Sequence, residues 1–424
     1  MKPKMHVGWI VFVIFLGTMM NYMDRVNISL TGPAILKEFG WTTATLGVLL
    51  SSFFWGYFLL QIPGGWLADK FGGRRVMIVS GFWWAVFTAL TAIPRSQGLL
   101  MGIRAGLGAG EAVNFPAGTS IFARWLPPKV VARVQGLNLS ATALGPLFAT
   151  PLAVFLITTW GWRSVFYVFA VFSAIWAFAW WGVTKRAGLK DIPDKQLPVA
   201  EDQAQLAPPK DFLEKPLSSL EVWGSSIAWF SNSYVFYFLI TFLPTYFVKA
   251  QHVSVQSLDI LGTVPWLVLF IMMNVAGWIA DYVGRVSSHS IFWRRMMYAG
   301  AFVWAGVFMF LAKGATSGTS AVILISLAVA GLAFTWPVAW ALPVIYSHSK
   351  AGILSGFMNA WGQVAGILAP IITGVVASTG NWSLAFIWVA VFSLLGAVVV
   401  AGTTRRSTDK TYAVHLGKNS AANM

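Results

Sequence analysis

The sequence predicts an all-α membrane protein whose twelve transmembrane helices form two pseudo-symmetric six-helix bundles. Three observations predict it. Apolar runs of membrane-spanning length recur along the chain, the basic residues collect on one side of those runs, and the second half repeats motifs of the first.

Of the 424 residues, 57% are apolar and only 10% charged, against about 25% charged in an ordinary soluble domain. A soluble protein of this length has no way to hide so much apolar surface. Crossing a bilayer takes about 20 residues, and twelve such runs begin near Val7, Thr42, Val76, Gly98, Val134, Ser164, Val222, Ile260, Met296, Gly318, Gly352 and Trp382. Lys2 and Lys4 precede the first run, but it continues into Asn21-Tyr22-Met23-Asp24-Arg25 without a small-residue cleavage site. It therefore reads as a retained helix and not as a cleavable signal. Cysteine is absent, which removes disulfides, thiolate metal sites and cysteine nucleophiles. No metal and no cofactor are expected.

The formal charge of +15 raises the question of nucleic acid, and the placement of the basic residues answers it. With both termini cytoplasmic, the outer loops hold five of the 29 basic residues, Lys37, Arg95, Arg163, Lys249 and Lys313, and Arg25 and Arg104 lie inside helices. The other 22 fall on the cytoplasmic side, a strong positive-inside bias. The expected partners are thus a lipid bilayer and a small solute, with no nucleic acid, in a monomer of the cell inner (cytoplasmic) membrane.

The one long hydrophilic interior stretch, residues 185–221, carries five prolines among mixed charges and reads as a solvated cytoplasmic linker. It divides an N-terminal bundle (1–184) from a C-terminal bundle (222–404), followed by a cytoplasmic tail (405–424). The halves repeat each other. Gly65-Trp66-Leu67-Ala68-Asp69 returns as Gly277-Trp278-Ile279-Ala280-Asp281, Gly110 and Phe115-Pro116 as Gly331 and Trp336-Pro337, and Trp162 and Phe166 as Trp382 and Phe386. Duplicated halves place a solute site at their interface near mid-membrane, where rocking exposes it to each side in turn.

A charge inside a bilayer is costly, so each one needs a reason. Four qualify: Asp24 and Arg25 late in the first helix, and Arg104 and Glu111 in the fourth. Arg104 and Glu111 are two turns apart and share a helical face, which Asn114 is expected to extend. Adjacent Asp24 and Arg25 point about 100° apart, so one faces the cavity while the other turns to a neighbouring helix. The alternative is a pair of salt bridges that only fix packing, a use for which buried ion pairs are poorly suited. The spans of the second half contain no carboxylate, and all five histidines fall in loops or tails. Proton chemistry therefore belongs to Asp24 and Glu111.

Neutral polar residues of the second half are the candidates for reading a solute's hydroxyls: Ser231, Asn232, Tyr234 and Tyr237 in the seventh helix, and Asn359 and Gln363, one turn apart, in the eleventh. Interhelical bonding is the competing role for each. Trp336 and Trp340 share a face of the tenth helix beside Pro337 and are expected to wall the cavity. Gly102, Gly106 and Gly110, at four-residue spacing, read as close helix packing.

Between the second and third helices, Gly65-x-x-x-Asp69-Lys70-x-Gly72-Gly73-Arg74-Arg75 is similar to the signature loop of the major facilitator superfamily, with a weaker copy from Gly277 through Asp281 to Arg285. The resemblance implies a major facilitator fold in which this aspartate and these basic groups restrain one conformation by pairing across the half interface. Within the superfamily the chain most resembles the anion:cation symporters, through Asn21-Tyr22-Met23-Asp24-Arg25-Val26-Asn27, Arg104 to Ala112 and Phe242-Leu243-Pro244-Thr245-Tyr246-Phe247. That resemblance implies proton-coupled uptake of a carboxylated substrate through a cavity lined by the first, fourth, seventh and tenth helices. Arg25 is expected to hold the carboxylate, because a guanidinium fits it bidentately. Tyr22, Asn21, Arg104, Asn114, Tyr234, Tyr237, Trp336, Asn359 and Gln363 complete the expected substrate site. A sugar acid such as an aldonate, aldarate or hexuronate is the leading substrate, with aromatic acids and dicarboxylates behind it. Proton-antiport export of drugs or metabolites is the second reading, weakened because Ala149 and Thr150 stand where the antiporter motif of the fifth helix has glycines. With no soluble domain and no nucleophile motif, an enzyme has least support.

Overall fold

In a computed structural model of the chain, the described residues are 4–125, 128–186, 219–287, 290–346 and 351–404. Among them there are fifteen helices and no strand. In the first half these are α1 (Lys4–Phe39), α2 (Thr43–Phe71), α3 (Gly73–Leu90), α4 (Gln97–Glu111), α5 (Asn114–Trp125), α6 (Pro128–Trp160) and α7 (Arg163–Arg186). The second half comprises α8 (Leu220–Lys249), α9 (Leu258–Leu261), α10 (Val264–Val286), α11 (Ser290–Ala312), α12 (Gly318–Ala333), α13 (Thr335–Tyr346), α14 (Ala351–Ser378) and α15 (Trp382–Gly402). Most of the linker and all of the tail after 404 lie outside the described residues.

Among the described residues ten stretches are long and apolar enough to cross a membrane, which is consistent with twelve spans once the exceptions are understood. The eighteen-residue α3 opens on Arg74 and Arg75. The fourth span is broken into α4 and α5 at Ala112 and Val113. The chain is thus a multi-pass membrane protein. Because of that break Asn114 does not continue the Arg104–Glu111 face; it is the first residue of a new helix. The tenth span breaks at the equivalent place, Phe334, between α12 and α13.

Each break is pinned to the first helix of its own half in the same way. Asn114 Nδ2 donates to Asn21 Oδ1 at 2.6 Å, and Thr335 Oγ1 donates to Asn232 Oδ1 at 2.6 Å. The repeat reaches further than the sequence motifs. Trp83 Nε1 donates to Gly106 O and Trp304 Nε1 to Leu327 O, both at 2.8 Å. A side-chain carbon on Gly110 would overlap the Trp83 ring, as one on Gly331 would overlap that of Trp304. Arg74 Nε donates to Thr184 Oγ1 at 3.1 Å and Arg295 Nε to Thr404 Oγ1 at 2.7 Å, so in each half an arginine at the start of the third span sits at the end of the sixth. A cation there complements the negative end of the helix dipole. The signature-loop residue Arg74 is therefore tied within its own bundle. The side chains of Gly65, Asp69, Asp281 and Arg285 lie outside the described residues; Gly72, at φ 87°, makes the turn between α2 and α3, and Arg75 is exposed.

Close packing of α4 on α2 rests on Gly56 and Gly108, where a side-chain carbon would overlap the backbone carbonyls of Ala105 and Phe53. Sequence spacing singled out Gly102, Gly106 and Gly110 instead. Gly102 faces open space, and the other two accommodate the aromatic rings of Phe87 and Trp83.

The two bundles press together near the start of α2 and the end of α14. A side-chain carbon on Gly47 would overlap Pro370 O and stand 3.1 Å from Gly374 Cα, and Ser29 Oγ donates to Ile240 O at 2.7 Å. These contacts close that end of the interface.

Candidate functional site

A cavity lies between the bundles. From the first half, Tyr22 and Arg25 of α1, Tyr57 of α2, Phe115 of α5 and Leu139 of α6 line it. The second half supplies Trp229, Asn232, Ser233, Phe236 and Tyr237 of α8, Trp336 and Trp340 of α13, and Asn359 and Gln363 of α14. Among the described lining residues Arg25 is the one cation, and none is a carboxylate.

Arg25 is 4% exposed, and its guanidinium is sandwiched between aromatic rings, 4.6 Å from the Tyr22 centroid and 4.7 Å from that of Tyr57. Such stacking suits a weakly hydrated planar cation. On the bundle side its Nε donates to Glu111 Oε2 at 3.4 Å. Arg25 Nη2 and Glu111 Oε1 are buried without a hydrogen-bond partner. This half-made pair leaves the guanidinium with free donor capacity at the cavity.

Asp24 turns the other way, as adjacent helical residues must. Its carboxylate accepts from Asn27 Nδ2 and Ser173 Oγ, each at 3.2 Å. Arg104 reaches back to the Asp24 carbonyl oxygen at 3.5 Å and lies 5.2 Å from the Phe53 ring centroid, the ring that Arg25 also approaches at 5.2 Å. The two arginines therefore share the Phe53 ring in the first bundle, and of the four charged residues only Arg25 lines the cavity.

Six of the ten residues expected at the substrate site share this cavity: Tyr22, Arg25, Tyr237, Trp336, Asn359 and Gln363. Four do not. Asn21 and Asn114 bond to each other across the break in the fourth span, Arg104 is buried behind Arg25, and Tyr234 packs its ring 4.0 Å from that of Phe392 in α15. Tyr234 is three residues from Tyr237 and one from Ser233, so helical position alone left its direction open. Sequence reasoning also missed Tyr57, Trp229, Ser233 and Phe236. Tyr57 stands in an apolar run where nothing marks it; Trp229 and Tyr237 are eight residues apart on α8, a spacing that puts them near one face.

Residues 14–370 match the family model described as Major Facilitator Superfamily. The chain belongs to the major facilitator superfamily. It is a transporter and not an enzyme. It is 32% identical to the "Probable anion transporter 4, chloroplastic" of Oryza sativa subsp. japonica, over 92% of this chain and 67% of that one. With the "Hexuronate transporter" of Bacillus subtilis (strain 168) it shares 27% identity over 92% of this chain and 93% of that one. Among solved structures it resembles a bacterial homolog of the human lysosomal transporter Spinster, in an inward-facing and unoccupied conformation. The TM-score is 0.76 at 17% identity, covering 97% of this chain and 98% of that chain, a likeness of fold.

Proposed function

We propose that this major facilitator protein is a proton-coupled symporter that imports a small organic anion, with a sugar acid as the leading substrate, by alternating access across the cell inner membrane. The observation that carries the reading is Arg25: a buried guanidinium at the cavity, held between two tyrosine rings, with Nη2 free and a carboxylate at Nε. The names of its relatives, an anion transporter and a hexuronate transporter, point to the same class.

In this reading the substrate carboxylate and Glu111 compete for Arg25. Desolvation and a neighbouring guanidinium act oppositely on a carboxyl group, so a site that alternates between wet and dry takes up a proton on one side and releases it on the other. Protonated Glu111 releases Arg25 to the substrate, which makes proton and anion binding mutually favourable. Asp24, held by Ser173 and Asn27, is the second proton carrier. Export by antiport is less favoured, because a cavity cation paired to a titratable acid couples anion and proton movement in the same direction.

Arg25→Lys tests the anion site. Lysine keeps the charge but loses the planar fork and the ring stacking, so binding of hexuronates and aldonates by the purified protein falls at least about tenfold. Unchanged affinity moves the anion site elsewhere. Uptake into proteoliposomes with and without an imposed pH gradient tests the coupling.

A further inference from the structure

The second-half wall of the cavity carries three indole N–H groups. Trp229 meets Trp336 and Trp340 edge to face, with ring centroids 5.2 and 5.6 Å away and interplanar angles of 80° and 81°. All three Nε1 atoms are buried and lack a hydrogen-bond partner among the described residues, and that of Trp229 lies against Gly362 of α14. The other unpaired indole, Trp84, stacks on Trp176 inside the first bundle at 4.7 Å. Other indoles donate to carbonyls, as buried Trp176 does to Val13 O at 2.7 Å and half-exposed Trp304 to Leu327 O at 2.8 Å. Indole donates and never accepts.

A fourth donor stands beside them. Thr335 Oγ1 occupies Asn232 Oδ1, and the Asn232 amide nitrogen is unpartnered. Gln363 Oε1 is the unpartnered acceptor of this wall. Buried donors left unpaired are costly, and oxygen atoms of a ligand recover that cost. The same wall offers no cation, so a second carboxylate placed there is a buried charge without a counter-ion.

We infer that Trp336 and Trp340, held edge to face by Trp229, form with Asn232 a specificity subsite that reads the oxygens of the substrate's uncharged end, so that the cavity selects hydroxylated monocarboxylates over dicarboxylates and over unsubstituted aromatic acids. The inference rests on the proposed anion site, with the carboxylate on Arg25 and the hydroxyl oxygens on the donors opposite. It removes aldarates from the candidate sugar acids and retains aldonates and hexuronates.

The test is calorimetric titration of the full-length protein in detergent with galacturonate, galactarate and benzoate, which differ in charge number and in oxygen content. Galacturonate is expected to bind at least about tenfold tighter than either of the others. Trp336→Phe, Trp340→Phe and their combination leave a smaller aromatic ring without a donor, so galacturonate binding weakens by about threefold to tenfold per lost bond, and by more than benzoate binding does. Equal binding of galactarate or benzoate to the wild type overturns the inference, as does wild-type galacturonate affinity in the double variant, and both outcomes leave the anion site at Arg25 standing. Binding of none of the three overturns the anion reading and the inference together.

Discussion

Replacing Glu111 with glutamine mimics its protonated form while keeping its shape. Glu111 is 0% exposed, and its contact to Arg25, at 3.4 Å, is the bond that a substrate carboxylate must displace or share. A hydrogen bond to a charged group is worth about 1.5–3 kcal/mol, which converts to a change of about 10- to 100-fold in anion affinity. The sign follows from linkage: if protonation of Glu111 frees Arg25, wild-type affinity for the anion rises as pH falls, and the glutamine variant loses the part of that dependence that Glu111 supplies, binding more tightly than the wild type at high pH. Titration of the purified protein across pH reads the first effect. Paired assays in the same proteoliposomes read the second, with counterflow exchange retained and accumulation driven by a pH gradient lost. Asp24→Asn is expected to behave similarly and to add a binding defect, because the Asp24 carboxylate also anchors Ser173 and Asn27. An affinity in Glu111→Gln that still follows pH as the wild type does refutes the Arg25 competition. Wild-type accumulation in both single variants and in the double variant refutes the whole proton pathway.

Other consequences are open to separate measurement. Tyr57→Leu removes one face of the guanidinium sandwich and is expected to weaken anion binding about fivefold, from a cation–π contribution of about 1 kcal/mol; an unchanged Kd removes Tyr57 from the site. Gly47→Leu, forced against Pro370 and Gly374, splays the closed end of the interface, so a cysteine placed at Ser29 reacts faster with an impermeant thiol reagent applied from outside the cell; equal rates show that this contact does not hold the end shut. Arg295→Met loses bonds to Thr403 and Thr404, at 2.6 and 2.7 Å, and lowers stability by about 3 kcal/mol without altering substrate preference, as read by thermal melting and binding. A cysteine at Pro208 is expected to resist labelling from outside intact cells, and labelling there reverses the cytoplasmic assignment of the linker.

Much of the architecture was legible in the chain because the bilayer imposes long apolar runs and the duplication repeats its marks: the span starts, the half-chain offset and the four intramembrane charges all come from linear pattern. The sequence also determined that Asp24 and Arg25 point apart, since helical geometry fixes the angle between neighbours. Tertiary structure decided what each then meets. It broke the fourth span at Ala112 and Val113, which took Asn114 off the Glu111 face and bonded it to Asn21. It also turned Tyr234 against Phe392 while Tyr237 reached the cavity, and it brought Tyr57 from an unmarked apolar helix onto Arg25. The same holds for the three tryptophans: indole suits the interface belt, the packed core and the cavity wall alike, so composition cannot tell them apart. Which of them meets the cavity is set by how the helices of different spans are packed together.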